Sequence, residues 1–142
     1  MNIDAKGLIL GRLASFAAEQ ALRGESVNIV NTAQVVLAGR PKEIIAKAKR
    51  RRELGVVKQG PYIPRKPAGL MRRAVRGMLP FKKPRGKAAY ALIKCYDGCP
   101  EAIKGEFVKM DARFRADKLT TIKRITLGKV CMQVSGPKGG EK

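Results

Sequence analysis

Hydrophobic positions change their period several times along this chain, and each change marks an element. Met1 to Ala5 alternates apolar and polar residues as a short strand does, and Lys6-Gly7 reads as a turn. Leu10, Leu13, Ala14, Ala17 and Ala21 then recur at helical spacing, with Arg12, Ser15, Glu19 and Arg23 on the other side, and Gly24 ends the run. Val27 to Val30 and Val35 to Ala38 are short apolar runs separated by Asn31-Thr32, so the order is strand, helix, strand, strand. Pro41 suits the first turn of a second helix, in which Ile44, Ile45 and Ala48 share one face and Lys47, Arg50 and Arg51 point elsewhere. This first half predicts an α/β unit.

After Gly55 the punctuation changes. Gly60-Pro61, Pro64, Pro67 and Gly69 predict an extended loop. From Leu70 to Leu79 a helical pattern returns. Leu70, Met71, Ala74, Val75 and Met78 fall within one apolar arc, expected to dock on the sheet, while Arg72, Arg73 and Arg76 lie opposite. Pro80 stops this helix, and Phe81 to Gly86 reads as a second loop. Lys87 to Leu92 predicts a helix leading into a fourth strand, Ile93 to Tyr96. Further on, Lys123 to Leu127 predicts a strand and Gly128 to Val134 a helical turn, and the tail from Gly136 to Lys142 reads as disordered. With 142 residues, the whole is read as one domain with a basic insertion at about 54–90.

Charge sharpens the division. Residues Met1 to Gly39 carry as many bases as acids. Arg40 to Tyr96 carries eighteen bases against Glu43 and Glu53, and the rest of the chain is only mildly basic, within a total of +20. The run from Leu54 to Tyr96 contains no acid at all. Charge that serves solubility mixes both signs, so a one-signed centre on a neutral scaffold points to a polyanionic partner. Loops punctuated by proline and glycine can follow a phosphate backbone, and arginines can hold phosphate oxygens by two hydrogen bonds at once. No helix-turn-helix, basic zipper or zinc finger is legible, and only Tyr62, Phe81 and Tyr90 supply aromatic rings within the basic centre. Folded RNA, recognised by shape and by phosphate and 2′-hydroxyl contacts, fits better than DNA or a single strand.

The competing class is an RNA-modifying or nucleotide-using enzyme on a doubly wound sheet, since fold does not dictate function. The chain lacks histidine, and with it the usual general base and the commonest metal ligand. Gly7-Leu-Ile-Leu-Gly11 lies between a strand and a helix but lacks both the third glycine of a dinucleotide fingerprint and the Gly-Lys-Ser/Thr ending of a phosphate loop; it reads as a plain turn. Cys95, Cys99 and Cys131 would need a carboxylate to complete a zinc site and read as ordinary thiols. Asp111 and Asp117, among Arg113, Arg115 and Lys118, read as solvated ion pairs rather than a catalytic pair. No catalytic residue, metal, cofactor or small-molecule substrate is expected. Three cysteines without a secretory signal predict a reducing, cytoplasmic setting, and no apolar run is long enough to span a bilayer.

Particular residues carry a resemblance. Arg73-Ala-Val-Arg-Gly-Met-Leu-Pro80, followed by Lys82, Lys83, Arg85 and Gly86, resembles the signature of the universal large-subunit ribosomal protein thirteen family. Asp4-Ala5, Gly7, Leu10-Gly-Arg-Leu-Ala-Ser15, Val30-Asn31, Ala38-Gly39 and Gly60-Pro61-Tyr62 match the same pattern in order, from about Asn2 to Pro100, and the compact length resembles the archaeal type. The match is poor between Pro100 and Leu119. The resemblance implies an α/β fold with a four-stranded parallel sheet and helices on both faces, a Rossmann-like three-layer arrangement carrying extended basic loops. It also implies a non-enzymatic constituent of the large ribosomal subunit, partnered by large-subunit ribosomal RNA and neighbouring ribosomal proteins in the cytoplasm. RNA contact is carried by resemblance onto Arg65, Lys66, Arg72, Arg73, Arg76, Lys82, Lys83 and Arg85, and is added from charge alone for Arg50, Arg51, Arg52 and Lys58.

Overall fold

The computed structural model describes residues 1–55, 58–103 and 105–135, so the tail read as disordered lies outside the described residues. Five helices and five short strands follow one another as β1 (Asn2–Asp4), α1 (Leu10–Leu22), β2 (Val27–Val30), β3 (Val36–Ala38), α2 (Pro41–Glu53), α3 (Pro67–Met78), α4 (Pro84–Ala91), β4 (Ile93–Cys95), β5 (Arg124–Thr126) and α5 (Leu127–Ser135). The fold is mixed α/β.

β1, β2 and β4 form a parallel sheet in the order β1-β2-β4, with Ile3 opposite Ile29 and Val27 opposite Ile93. Side chains alternate across a strand, so Ile3, Val27, Ile29 and Ile93 all point to one side, where each is fully buried. They share a core with Leu13, Ala14 and Ala17 of α1, Met71 and Val75 of α3, and Ala89 of α4. Small residues along α1 let α3 and α4 approach it closely, because a ridge of alanines leaves a shallow groove.

The expected four-stranded parallel sheet is corrected to three strands. β3 pairs antiparallel with β5, Val36 opposite Thr126, and touches the segment after β1 through a single parallel bridge between Ile9 and Val36. The cause is local: Asn31 adopts a left-handed conformation (φ 57°), its side chain donates to Asp4 Oδ1 at 2.9 Å, and a tight turn over Thr32–Gln34 redirects the chain before β3 begins. The opposite face is not covered throughout, as a three-layer arrangement expects: Val30 is fully buried there, whereas the row Asn2, Asn28 and Lys94 stays at least partly exposed and includes an Asn28-to-Asn2 side-chain hydrogen bond of 2.9 Å.

Leu8 and Ile9, inside the glycine-flanked Gly7–Gly11 stretch, are buried and bridge to Arg115 and Val36. That stretch is strand-pairing backbone rather than a ligand loop.

Candidate nucleic-acid interface

Two prolines redraw the basic centre. Pro67 and Pro84 each occupy the first turn of a helix, where a missing N–H costs nothing and the fixed φ is already helical. α3 therefore begins three residues before the expected Leu70, and α4 three before the expected Lys87. As a consequence Arg85, expected in a loop, lies in the first turn of α4. The loops themselves are tightly held. A Cβ on Gly69 would fall 2.6 Å from Pro64 Cβ, and one on Gly86 2.1 Å from the Pro80 carbonyl oxygen, so at both places only glycine lets the loop lie against its helix.

α3 is the hinge of the arrangement. Met71 and Val75 are buried, and Leu70 and Ala74 are partly buried against the core. Met78 departs from the expected apolar face: it is 43% exposed, and Leu79 takes its place inside. The reason is the end of the helix. Leu79 leaves helical geometry (φ −97°, ψ 149°), which turns its side chain inward and leaves Met78 at the rim, where Ser15 Oγ lies 3.2 Å from its sulfur.

The opposite face carries the arginines. Arg72 stacks over the Tyr90 ring at 4.4 Å to the centroid, and Arg76 over the Phe81 ring at 5.3 Å. The two rings meet edge to face at 5.4 Å, which ties α3, the intervening turn and α4 into one unit. Arg73 points toward the preceding loop, with a long contact of 3.5 Å from Nη1 to the Tyr62 carbonyl oxygen. Tyr62 in turn donates from its hydroxyl to the Lys58 carbonyl at 2.9 Å. Lys58, Arg65, Lys66, Lys82, Lys83 and Arg85 are exposed around this unit. Among the described residues, no base from Lys58 to Lys87 pairs with a carboxylate; the ion pairs lie elsewhere, as in Arg23–Glu19 and Arg40–Glu43.

Arg50, Arg51 and Arg52 occupy the last turn of α2, where positive charge complements the negative end of the helix dipole. Arg50 and Arg51 are exposed, but Arg52 is half-buried and donates to the Val134 carbonyl near the end of α5. Charge alone could not separate these roles. The end of α2 is nonetheless adjacent to the first basic loop, because a Cβ on Gly55 would lie 2.0 Å from the Gly60 oxygen.

One residue at the site was not singled out in the sequence. Asp97, just after β4, accepts a 2.6 Å hydrogen bond from the Ala68 N–H and so caps the N-terminus of α3 from a distant part of the chain. The only signal in the sequence is its position, as the acid that ends the acid-free run. Nearby, burial pushes the Cys95 thiol up to about 12, with Arg72 acting to lower it and Asp97 to raise it. Cys131 is likewise pushed up to about 11 by burial, and all three cysteines are free. The Cys95 and Cys131 thiols therefore stay protonated and inert at neutral pH. Among the described residues no group of three potential ligands is placed to hold a metal. Asp111 pairs with Arg113 at 3.4 Å and Asp117 with Arg124 at 3.6 Å, all on the surface.

The family model described as Ribosomal protein L13 matches residues 1–102. Among curated proteins, the chain is similar to the large ribosomal subunit protein uL13 of Haloarcula marismortui, with 40% identity over 128 residues, 90% of this chain and 86% of the relative. The protein of the same name from Methanococcoides burtonii is 41% identical over 133 residues, covering 93% and 95% of the two chains. That of Thermoplasma acidophilum is 39% identical over 134 residues, covering 94% and 97%.

Proposed function

The chain belongs to the ribosomal protein L13 family, and from that membership we propose that it is a structural, non-enzymatic constituent of the large ribosomal subunit, working in the cytoplasm as part of the ribosome. Its partners are large-subunit ribosomal RNA and neighbouring ribosomal proteins. No helix among the described residues is long and apolar enough to cross a membrane.

The observation that carries the RNA-binding part of this reading is the set of cations without acidic partners around α3. Ten bases from Lys58 to Lys87, free of any carboxylate partner among the described residues, repel one another in water. A phosphate backbone removes that repulsion and releases its own counterions in doing so. Arg65, Lys66, Arg72, Arg73, Arg76, Lys82, Lys83 and Arg85 are assigned the contact, with Lys58, Arg50 and Arg51 extending it along the first loop and the end of α2. Arg52 serves the fold first, through its bond to Val134.

The test is the salt dependence of binding to archaeal large-subunit ribosomal RNA. With about ten phosphates neutralised, log affinity falls against log salt with a slope on the order of −7 to −9. A slope near −2 would sink the reading. Arg73→Glu with Arg76→Glu should abolish incorporation into subunits while the free protein still folds, its unfolding temperature lowered by only the few degrees that loss of the Arg76–Phe81 contact costs. Normal assembly of that double variant would mean α3 is not the contact.

A further inference from the structure

The aromatic rings of the basic centre have a use that neither charge nor family membership assigns. Single-stranded RNA readers stack bases on exposed ring faces. Here Tyr90 and Phe81 are both half-buried, and each has a guanidinium over its ring: Arg72 at 4.4 Å and Arg76 at 5.3 Å. The rings brace each other edge to face at 5.4 Å. Arg72 and Arg76 are one helical turn apart, so their anchors are separated by about 6 Å along the axis of α3. That step resembles the step between successive phosphates of one nucleic-acid strand. A guanidinium whose carbon sits over a ring face leaves N–H groups at its edge to donate to an oxyanion.

We propose that Arg72 and Arg76 form a clamp for two successive phosphates of one RNA strand, and that Tyr90 and Phe81 are positioning residues that hold the two guanidiniums edge-outward for it. The inference rests on the RNA-binding reading above and adds to it. A long arginine side chain loses much rotamer freedom when it binds. Stacking on a fixed ring makes part of that loss before the RNA arrives, so the contact forms at lower cost. It also follows that this part of the surface reads backbone geometry rather than base identity.

The experiment measures affinity for archaeal large-subunit ribosomal RNA across a salt series, alongside thermal unfolding of each free protein. Tyr90→Leu keeps an apolar filling but removes the ring face, and Tyr90→Phe keeps the face. Tyr90→Leu should weaken binding on the order of 3- to 30-fold, the range of a cation–π contact. The salt slope should become shallower by up to about 0.7 to 0.9, one phosphate contact, the full change appearing only where Arg72 loses its phosphate altogether. Tyr90→Phe should restore both. If neither affinity nor slope changes, the rings are core alone and the proposal fails. Weakened binding at an unchanged slope has two sources, a lost head start for Arg72 or a ring stacked on a base, and a double-mutant cycle separates them. In that case, and wherever Tyr90→Leu also lowers the unfolding temperature, the cycle with Arg72→Lys decides. The ring acts through Arg72 if Tyr90→Leu costs little further affinity in the Arg72→Lys background, and the proposal is overturned if the two losses simply add. A wild-type slope near −2 would instead defeat the RNA-binding reading itself.

Discussion

α1 and α3 pack against each other, yet their outward faces have opposite fates. α1 buries Leu13, Ala14, Ala17, Ala18, Gln20 and Ala21; its one acid, Glu19, pairs at 2.5 Å with Arg23 at the helix end, and its one arginine, Arg12, donates to a backbone carbonyl, that of Arg113. α3 buries only Met71 and Val75, and its Arg72, Arg73 and Arg76 meet aromatic rings and a carbonyl but no acid. Both helices contribute to the same core, so the difference is not one of stability. α1 is complete as folded; α3 has one face satisfied by the protein and one that calls for a partner. On the proposed reading, function sits where the chain leaves its bases without acids, and the scaffold side should be separable from it by mutation.

The largest effect comes from the shared core. Met71→Ala removes a fully buried side chain between α3 and the sheet, and should cost roughly 2–5 kcal/mol of folding stability. Urea unfolding should show a lower midpoint with an unchanged m-value. At temperatures where the variant is folded, its salt slope for RNA should match the wild type. A changed slope would mean that the two faces of α3 are not independent.

Gly86→Ala tests the joint between α3 and α4. A Cβ there would lie 2.1 Å from the Pro80 oxygen and 2.4 Å from the Pro80 carbonyl carbon, both backbone atoms, so the start of α4 must shift. Overpacking of this kind costs roughly 1–3 kcal/mol. Because Phe81 and Tyr90 flank the displaced residue, this substitution, unlike Met71→Ala, should lower both the unfolding temperature and RNA affinity. Lost stability with full affinity would show that the rings tolerate movement of α4.

These variants follow the line between what was legible in the sequence and what was not. The amphipathic period of α3 and the strand pattern are local signals, and each marked a real element. Partners are not local. The period of β3 shows that it is a strand, but only the left-handed Asn31 turn sends it to β5 instead of the parallel sheet. Arg52 reads like Arg50 and Arg51 until Val134 appears beside it. Tyr90 lies eighteen residues beyond Arg72, on another helix, and no spacing rule links them. Pro67 and Pro84 are the exceptions: proline at a first helical turn is a known start signal, and read that way they would have placed both helices correctly.

The smallest expected effect belongs to Asp97, and its sign is the informative part. Its carboxylate accepts the Ala68 N–H at 2.6 Å, satisfying one of the four donors that a helix N-terminus leaves without partners and placing negative charge at the positive end of the α3 dipole. Loss of a helix cap typically costs about 1 kcal/mol, so Asp97→Ala should lower the unfolding temperature by roughly 3–5 °C. The same substitution removes an acid next to the surface proposed to bind RNA. RNA affinity should hold steady or rise slightly, with the salt slope unchanged, because no cation has been lost. Stability and binding then move in different directions, as they must if α3 owes its position to the scaffold and its affinity to its arginines. If Asp97→Ala instead weakens RNA binding while the free protein stays as stable as wild type, the cap is setting the arginine face for RNA rather than holding the helix to the fold.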